Sequence, residues 1–185
     1  MASAFGHACA ALTIGKVYSG KKLPVLFWAL TIICSIIPDA DIIGFKFHIA
    51  YGSMFGHRGF THSILFALVM GFIAAWILTR SLSIDKKQFW KFVIYFFLIT
   101  LSHPLLDACT NGGLGVAFFS PFSNHRYFFP DFFRRIQVSP IKVDSFFSDW
   151  GLRVLLSEFI WIGLPSIVII FATYFIRKRK NAKTY

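Results

Sequence analysis

Charge is scarce in this chain of 185 residues: Asp, Glu, Lys and Arg together make up 15%, and only eight residues are acidic. Soluble domains carry about 25% charged residues, so the composition argues against an ordinary cytosolic globular protein. Disorder requires low hydrophobicity, whereas 56% of this chain is hydrophobic. Cysteine is equally sparse. Cys9, Cys34 and Cys109 show no C-x-x-C spacing and lack the company of a zinc thiolate site or a disulfide framework. Cys9 and Cys34 lie in apolar runs and read as small core residues. The segment from Met1 to Ile14 has no basic start and no clear cleavage site, so no removable signal peptide is expected. H-E-x-x-H is missing, which weighs against a membrane metalloprotease.

What the chain does have is long apolar runs flanked by basic residues. Four stand out: Leu23–Ile37, Ser63–Leu78, Phe89–Leu106 and Val154–Ile176. A membrane-spanning helix needs about 20 apolar residues. The last run meets this outright, while the first two need flanking residues or a locally thinner bilayer. The Ala-rich stretch Ala2–Ile14 reads as a short helix packed on the others. The expected fold is all-α, an integral membrane helical bundle of about four spanning helices plus a short N-terminal helix. Residues 1–185 are expected to form one membrane-embedded domain.

The net charge of +11 comes from residues beside these runs, and nothing resembles a recognition helix, so no nucleic-acid partner is expected. Lys16, Lys21 and Lys22, then Arg80, Lys86, Lys87 and Lys91, then the tail Arg177–Lys180 with Lys183, all fall on one side of a four-crossing chain. By the positive-inside rule that side is the cytoplasm. Pro38–Thr61 and Ala108–Arg153 then face outward, although they carry Lys46, Arg58, Arg126, Arg134, Arg135, Lys142 and Arg153. The second loop (108–153) is rich in Phe and broken by Pro121, Pro130 and Pro140. Two readings fit it: an aromatic cap in the bilayer interface, or a folded loop packed on helix ends.

The acids and histidines are placed unevenly. Asp39 and Asp41 follow Pro38 at the outer end of the first run. His57 and His62 bracket His57-Arg58-Gly59-Phe60-Thr61-His62-Ser63 before the second, and His103 and Asp107 lie four apart at the outer end of the third. All map to one membrane face. Residues i and i+4 share a helix face, so His103 and Asp107 can hold one ion. An extended Asp39-x-Asp41 after Pro38 would point two carboxylates the same way. Thr61 is the expected N-cap of the second spanning helix, and Gly59 lets the loop return His57 to the same centre. Buried carboxylates are costly unless paired, and mixed imidazole–carboxylate sets suit zinc first and manganese second. His7 reaches this centre only if its helix is buried in the bundle; on the cytoplasmic surface it would be unrelated. His48 and His125 are expected to lie outside the centre, Asp131, Asp144 and Asp149 in ordinary loop positions, and Glu158 to snorkel toward the interface.

The Pro-Asp-x-Asp of residues 38–41, the 57–63 run and Ser102-His103-Pro104-Leu105-Leu106-Asp107 resemble the YdjM-like family of bacterial inner-membrane proteins. The resemblance extends to His7 and to Ser120-Pro121-Phe122-Ser123. It implies a membrane-bound metal-dependent hydrolase, under LexA control in some bacteria. The order His, Asp, His, then His-x-x-x-Asp is also distantly similar to zinc-dependent phospholipase C and P1-type nucleases. That likeness implies one ion held by Asp39 or Asp41, one of His57 and His62, His103 and Asp107, and a second held by His7 with a shared Asp107. The downstream His-x-x-x-Glu of those enzymes is missing here, which removes a third ion. The function expected is hydrolysis of a phosphoester in a membrane lipid or lipid-linked substrate. Arg58 would be the phosphate donor, and the spare carboxylate of Asp39 and Asp41 the general base. The alternatives are a non-catalytic metal-binding membrane protein or an ion transporter.

Overall fold

The computed structural model describes residues 1–20, 22–82, 85–141 and 143–182; Lys21, Lys142 and Lys183, three of the basic residues used for orientation, lie outside them. Among the described residues seven α-helices follow in order: α1 (Ala4–Tyr18), α2 (Val25–Ile36), α3 (Ile64–Leu82), α4 (Lys86–Ala108), α5 (Val143–Phe146), α6 (Asp149–Glu158) and α7 (Leu164–Ala182). Among the described residues no strand forms, only the isolated bridges Thr110–Ile136 and Val116–Tyr127.

Among the described residues, four stretches are long and apolar enough to cross a membrane: Val25–Phe47, Ile64–Leu82, Lys86–Ala108 and Asp149–Lys180. The first holds a departure from expectation. Residues Ile37–Phe47 continue α2 directly as a 3-10 helix, with Pro38 in its first turn. Proline lacks only an N–H that a first turn leaves unpaired anyway. The opening part of the expected Pro38–Thr61 loop is therefore helical, and it lengthens the first span to 23 residues. The fourth span joins α6 to α7 through a π turn at Phe159–Gly163.

Side chains cap the helices at the expected kinds of residue. Ser3 Oγ accepts from Gly6 N–H at α1, Asp85 from Gln88 N–H at α4 and Ser148 from Trp150 N–H at α6. At α3 the cap is Ser63, whose Oγ accepts from Phe66 N–H at 3.1 Å. Thr61 was the expected cap but lies in a 3-10 turn, Phe60–His62, before the helix.

The apolar core lies between α1, α2, α3 and α4, where Phe27, Phe92, Phe96, Ile99 and Leu78 are buried. Thr31 and Tyr95 bury their hydroxyls by bonding to each other at 2.9 Å, which removes the cost of leaving either unpaired. The basic residues Lys16, Arg80, Lys86 and Arg177 sit at helix ends opposite to those carrying His7, Asp39, His62 and Asp107. Residues 109–141 return over those latter ends, with Ala117 N–H donating to Arg58 O and Phe129 N–H to Ala108 O.

Helices α3 and α4 pack closely at Gly71, where a Cβ would stand 2.7 Å from the Phe97 backbone nitrogen. Small residues allow such contact between membrane helices. Gly71→Val should cost about 1–3 kcal/mol through overpacking, read as a lower thermal midpoint in detergent. Gly20→Ala, which meets nothing within 4 Å, should leave the midpoint unchanged.

Candidate metal centre

Three helix ends bring the site together. The 3-10 extension of α2 supplies Asp39 and Asp41, the turn before α3 supplies His57, Arg58 and His62, and the last turns of α4 supply His103 and Asp107. The turn at 56–59 is tight. A Cβ on Gly59 would fall 2.1 Å from Met54 O, and Arg58 adopts φ 63°, a left-handed backbone uncommon outside glycine. The close approach at Gly59 brings His57 inward, as the sequence suggests, and the unusual dihedral falls on Arg58.

Asp39, His62, His103 and Asp107 place one ligand atom each around a common point. His62 Nε2 lies 3.2 Å from His103 Nε2, and 3.5 Å from both Asp39 Oδ1 and Asp107 Oδ2. His103 Nε2 is 3.3 Å from Asp39 Oδ1 and 4.0 Å from Asp107 Oδ2. A tetrahedral ion with bonds of about 2.0–2.1 Å sets its ligand atoms roughly 3.3 Å apart, so the spacing fits. Asp39 Oδ1 is buried without a hydrogen-bond partner, which is costly unless a cation serves it.

The rings are oriented from behind. His103 Nδ1 donates to Ser35 O at 2.7 Å, leaving Nε2 as the inward lone pair. His62 Nδ1 lies 3.2 Å from Asp41 Oδ2. Such backing fixes the tautomer of a ligating histidine. Asp41 also accepts from Arg58 N–H at 3.1 Å and from Thr61 Oγ1 at 2.6 Å, and its Oδ1 accepts from His57 Nδ1 at 2.7 Å. Asp41, His57 and His62 also fall within reach of one ion. However, 2.7 Å between Asp41 and His57 is a hydrogen bond, too short to be bridged by metal. The expected extended Asp39-x-Asp41 pointing both carboxylates one way is thus corrected. The 3-10 winding sends Asp39 to His62 and His103, and Asp41 to His57 and Thr61.

His7 is buried and stacks on His103 with ring centroids 3.6 Å apart; its Nε2 is 3.4 Å from Asp107 Oδ1. Helix α1 therefore follows the buried alternative of the two sequence readings. Both His7 nitrogens lack hydrogen-bond partners. Burial and the neighbouring His103 push its pKa down to about 4, against the pull of Asp107. His62 moves the other way. Burial alone would lower it, but hydrogen bonds to Asp107, Asp39 and Asp41 outweigh that and hold it up at about 10. The point between the carboxylates demands positive charge.

Two further expectations need correction. Arg58 is fully buried: its Nε lies 3.1 Å from Asp107 Oδ2, Nη1 donates to Gly112 O and Nη2 to Thr110 Oγ1. It braces Asp107 and offers no free fork to a phosphate. Glu158 does not snorkel; it is buried, accepting from the Ser3 backbone N–H and hydroxyl. His48 and His125 are exposed, away from the centre, and Asp131 pairs with Arg134 at the surface. Sequence reading missed Ser35, Thr61 as a partner of Asp41, and Thr110. Ser35 acts through a backbone carbonyl, which leaves no mark on residue type.

Removing one partner of a buried ion pair costs about 3–5 kcal/mol. Arg58→Met should therefore lower the thermal midpoint sharply in metal-free protein. Asp107→Asn should cost much less in that background than alone, and a double-mutant cycle by thermal unfolding measures the difference.

Comparison with known proteins agrees with this architecture. The family model described as YdjM inner membrane protein matches residues 1–180. The chain is 37% identical over 169 residues to the inner membrane protein YbcI of Escherichia coli strain K12, covering 91% of this chain and 95% of that one. It is 37% identical over 116 residues to the uncharacterized protein YvsG of Bacillus subtilis strain 168, covering 59% and 66%. No solved structure matches. With four apolar helices able to cross a bilayer and a family match over nearly its whole length, the chain belongs to the YdjM inner membrane protein family.

Proposed function

We propose that this protein is a membrane-bound metal-dependent hydrolase acting on a phosphoester of a lipid or lipid-linked substrate. The observation carrying this reading is the convergence of His62 Nε2, His103 Nε2, Asp39 Oδ1 and Asp107 Oδ2 at tetrahedral spacing, with Asp39 Oδ1 buried and without a hydrogen-bond partner. Zinc suits the donor set best and manganese next. Asp107 faces the four-atom site with Oδ2 and His7 with Oδ1, an arrangement that supports a second ion shared through this carboxylate. A bound divalent ion would acidify water and polarise phosphoryl oxygens.

The chain's own groups supply the rest. Asp41 has both oxygens occupied by donors, so it orients neighbours and is not free to act as general base. His57 is better placed. Its Nδ1–H is held by Asp41, its Nε2 has no partner, and it lines a cavity of about 370 Å³ with Tyr51, Gly113, Val138 and Trp150. An imidazole anchored in this way can take a proton at Nε2. The return segment exposes Phe119, Phe122 and Phe133, which suits an amphiphile arriving from the bilayer interface. The basic residues at the opposite end favour the cytoplasm there, which directs the site to the periplasmic side.

A second reading has its own support. Four protein ligands already complete a tetrahedron, and structural zinc sites are closed in this way whereas catalytic ones keep a position open. On that reading the ion staples α2, α3 and α4. Manganese substitution followed by water proton relaxation separates the two: an exchangeable water favours hydrolysis, and its absence favours the staple.

Metal analysis of protein purified without chelator should find at least one tightly bound divalent ion per chain. His103→Ala and Asp107→Ala should lose it together with activity against a panel of phosphoesters. Asp41→Asn should retain the ion with affinity weakened about 10–100-fold, the usual effect of removing a carboxylate behind a ligating histidine. Unchanged metal content in the two alanine variants would overturn the proposal.

A further inference from the structure

The basic end of the bundle carries a second cavity, independent of the histidine–aspartate centre. An apolar groove of about 780 Å³ runs between α1 and α7, lined among others by Phe5, Leu12, Trp28, Phe159 and Ile170. It ends at Lys16, which also lines two adjoining basins. One, of about 460 Å³, is shared with Ser19, Lys22 and Arg177; the other, of about 440 Å³, with Tyr174 and Lys178. Four cations meet there, and no acidic side chain lines any of the three cavities among the described residues.

The mouth is built to receive an anion. Lys16 Nζ sits 5.4 Å from the Trp28 ring centre, which holds the ammonium at the groove's end. The last carbonyls of α1 would repel a phosphate, but Arg177 covers them, donating to Lys16 O, Val17 O and Ser19 O. The groove also has the depth of one leaflet. Eleven residue steps from Phe5 to Lys16 at about 1.5 Å each give about 16 Å, close to half of a hydrocarbon core about 30 Å thick. Ile167 and Ile170 on its α7 wall are exposed at the bundle surface.

We infer that this groove holds one anionic phospholipid, its phosphate among Lys16, Lys22, Arg177 and Lys178 and one acyl chain lying along α1 toward Phe5. Basic pockets between membrane helices recognise acidic headgroups in this way. The groove's apolar walls require a chain, and the unbalanced charge at its mouth requires a negative head. A free anion satisfies only the second condition and a neutral lipid only the first.

The test uses the full chain in phosphatidylcholine vesicles containing a small fraction of brominated phosphatidylglycerol or, separately, brominated phosphatidylcholine. Quenching assigned to Trp28, taken as the difference between wild type and Trp28→Phe, should be stronger with the anionic lipid. Each of Lys16→Gln, Lys22→Gln and Lys178→Gln should cut that preference roughly five-fold, while far-UV circular dichroism stays unchanged. Lys178 is exposed on α7, so its variant keeps the test valid if the others misfold. Inorganic phosphate should not displace the lipid. Equal quenching by the two lipids, a preference unmoved in the folded lysine variants, or displacement by phosphate would overturn the assignment.

Discussion

Burying three carboxylates where apolar helices meet is the constraint to which the rest of this structure answers. Asp39, Asp41 and Asp107 are each almost wholly withdrawn from solvent, at side-chain exposures of 13%, 2% and 0%. Withdrawing a carboxylate from water costs several kcal/mol unless positive charge and donors replace the hydration. Arg58 answers one side of Asp107, and His57, Thr61 and the Arg58 amide answer Asp41. What remains is the gap between Asp39 and Asp107, faced by two imidazole nitrogens. The left-handed residue at 58 and the crowded Gly59 follow from this, because only a sharply folded turn can present His57, Arg58 and His62 to the same gap.

The outer helices are tied to the same place. The Ala2 backbone N–H donates to Asp107 Oδ1 at 2.8 Å, and one residue later Ser3 is held by Glu158 of α6. A Cβ on Gly6 would press on the Glu158 carboxyl at 2.9 Å, so the first turn of α1 fits closely against the last span. One turn further along, His7 lies flat on His103. The centre therefore draws on five segments of the chain, and the polar bonds among them reinforce the apolar packing of the helices.

Much of this was legible in residue order. Acids and histidines stood beside the ends of apolar runs that an alternating topology brings to one side, so their meeting followed from counting crossings. Partition within the set was not legible. Asp39 and Asp41 differ only in where a 3-10 turn points them, and that turn was hidden because proline reads equally as a helix stop or a first-turn residue. Arg58 looked available because a basic residue in a loop is normally solvated. Its burial depends on Thr110 and Gly112, more than fifty positions away. Glu158 was misread for the same reason: its partner, Ser3, lies at the other end of the chain. Local pattern identified the chemistry, and distant contacts decided the roles.

The π turn at Phe159–Gly163 has a geometric consequence for the final span. Val154, Glu158, Ile162 and Ser166 are all buried, and Ser166 Oγ comes within 3.8 Å of Cys9 Sγ on α1. In an unbroken α-helix, at about 100° per residue, Ser166 would stand roughly 80° around the cylinder from Glu158. The wider turn absorbs that drift and keeps both ends of the rod in phase with one neighbour. Register here is a matter of residue number more than residue identity. Deleting one position between 159 and 163 would leave seven α-helical steps from Glu158 to Ser166, about 20° short of two full turns, and so keep the far half of the rod on α1. Deleting one position after the π turn would instead swing it away.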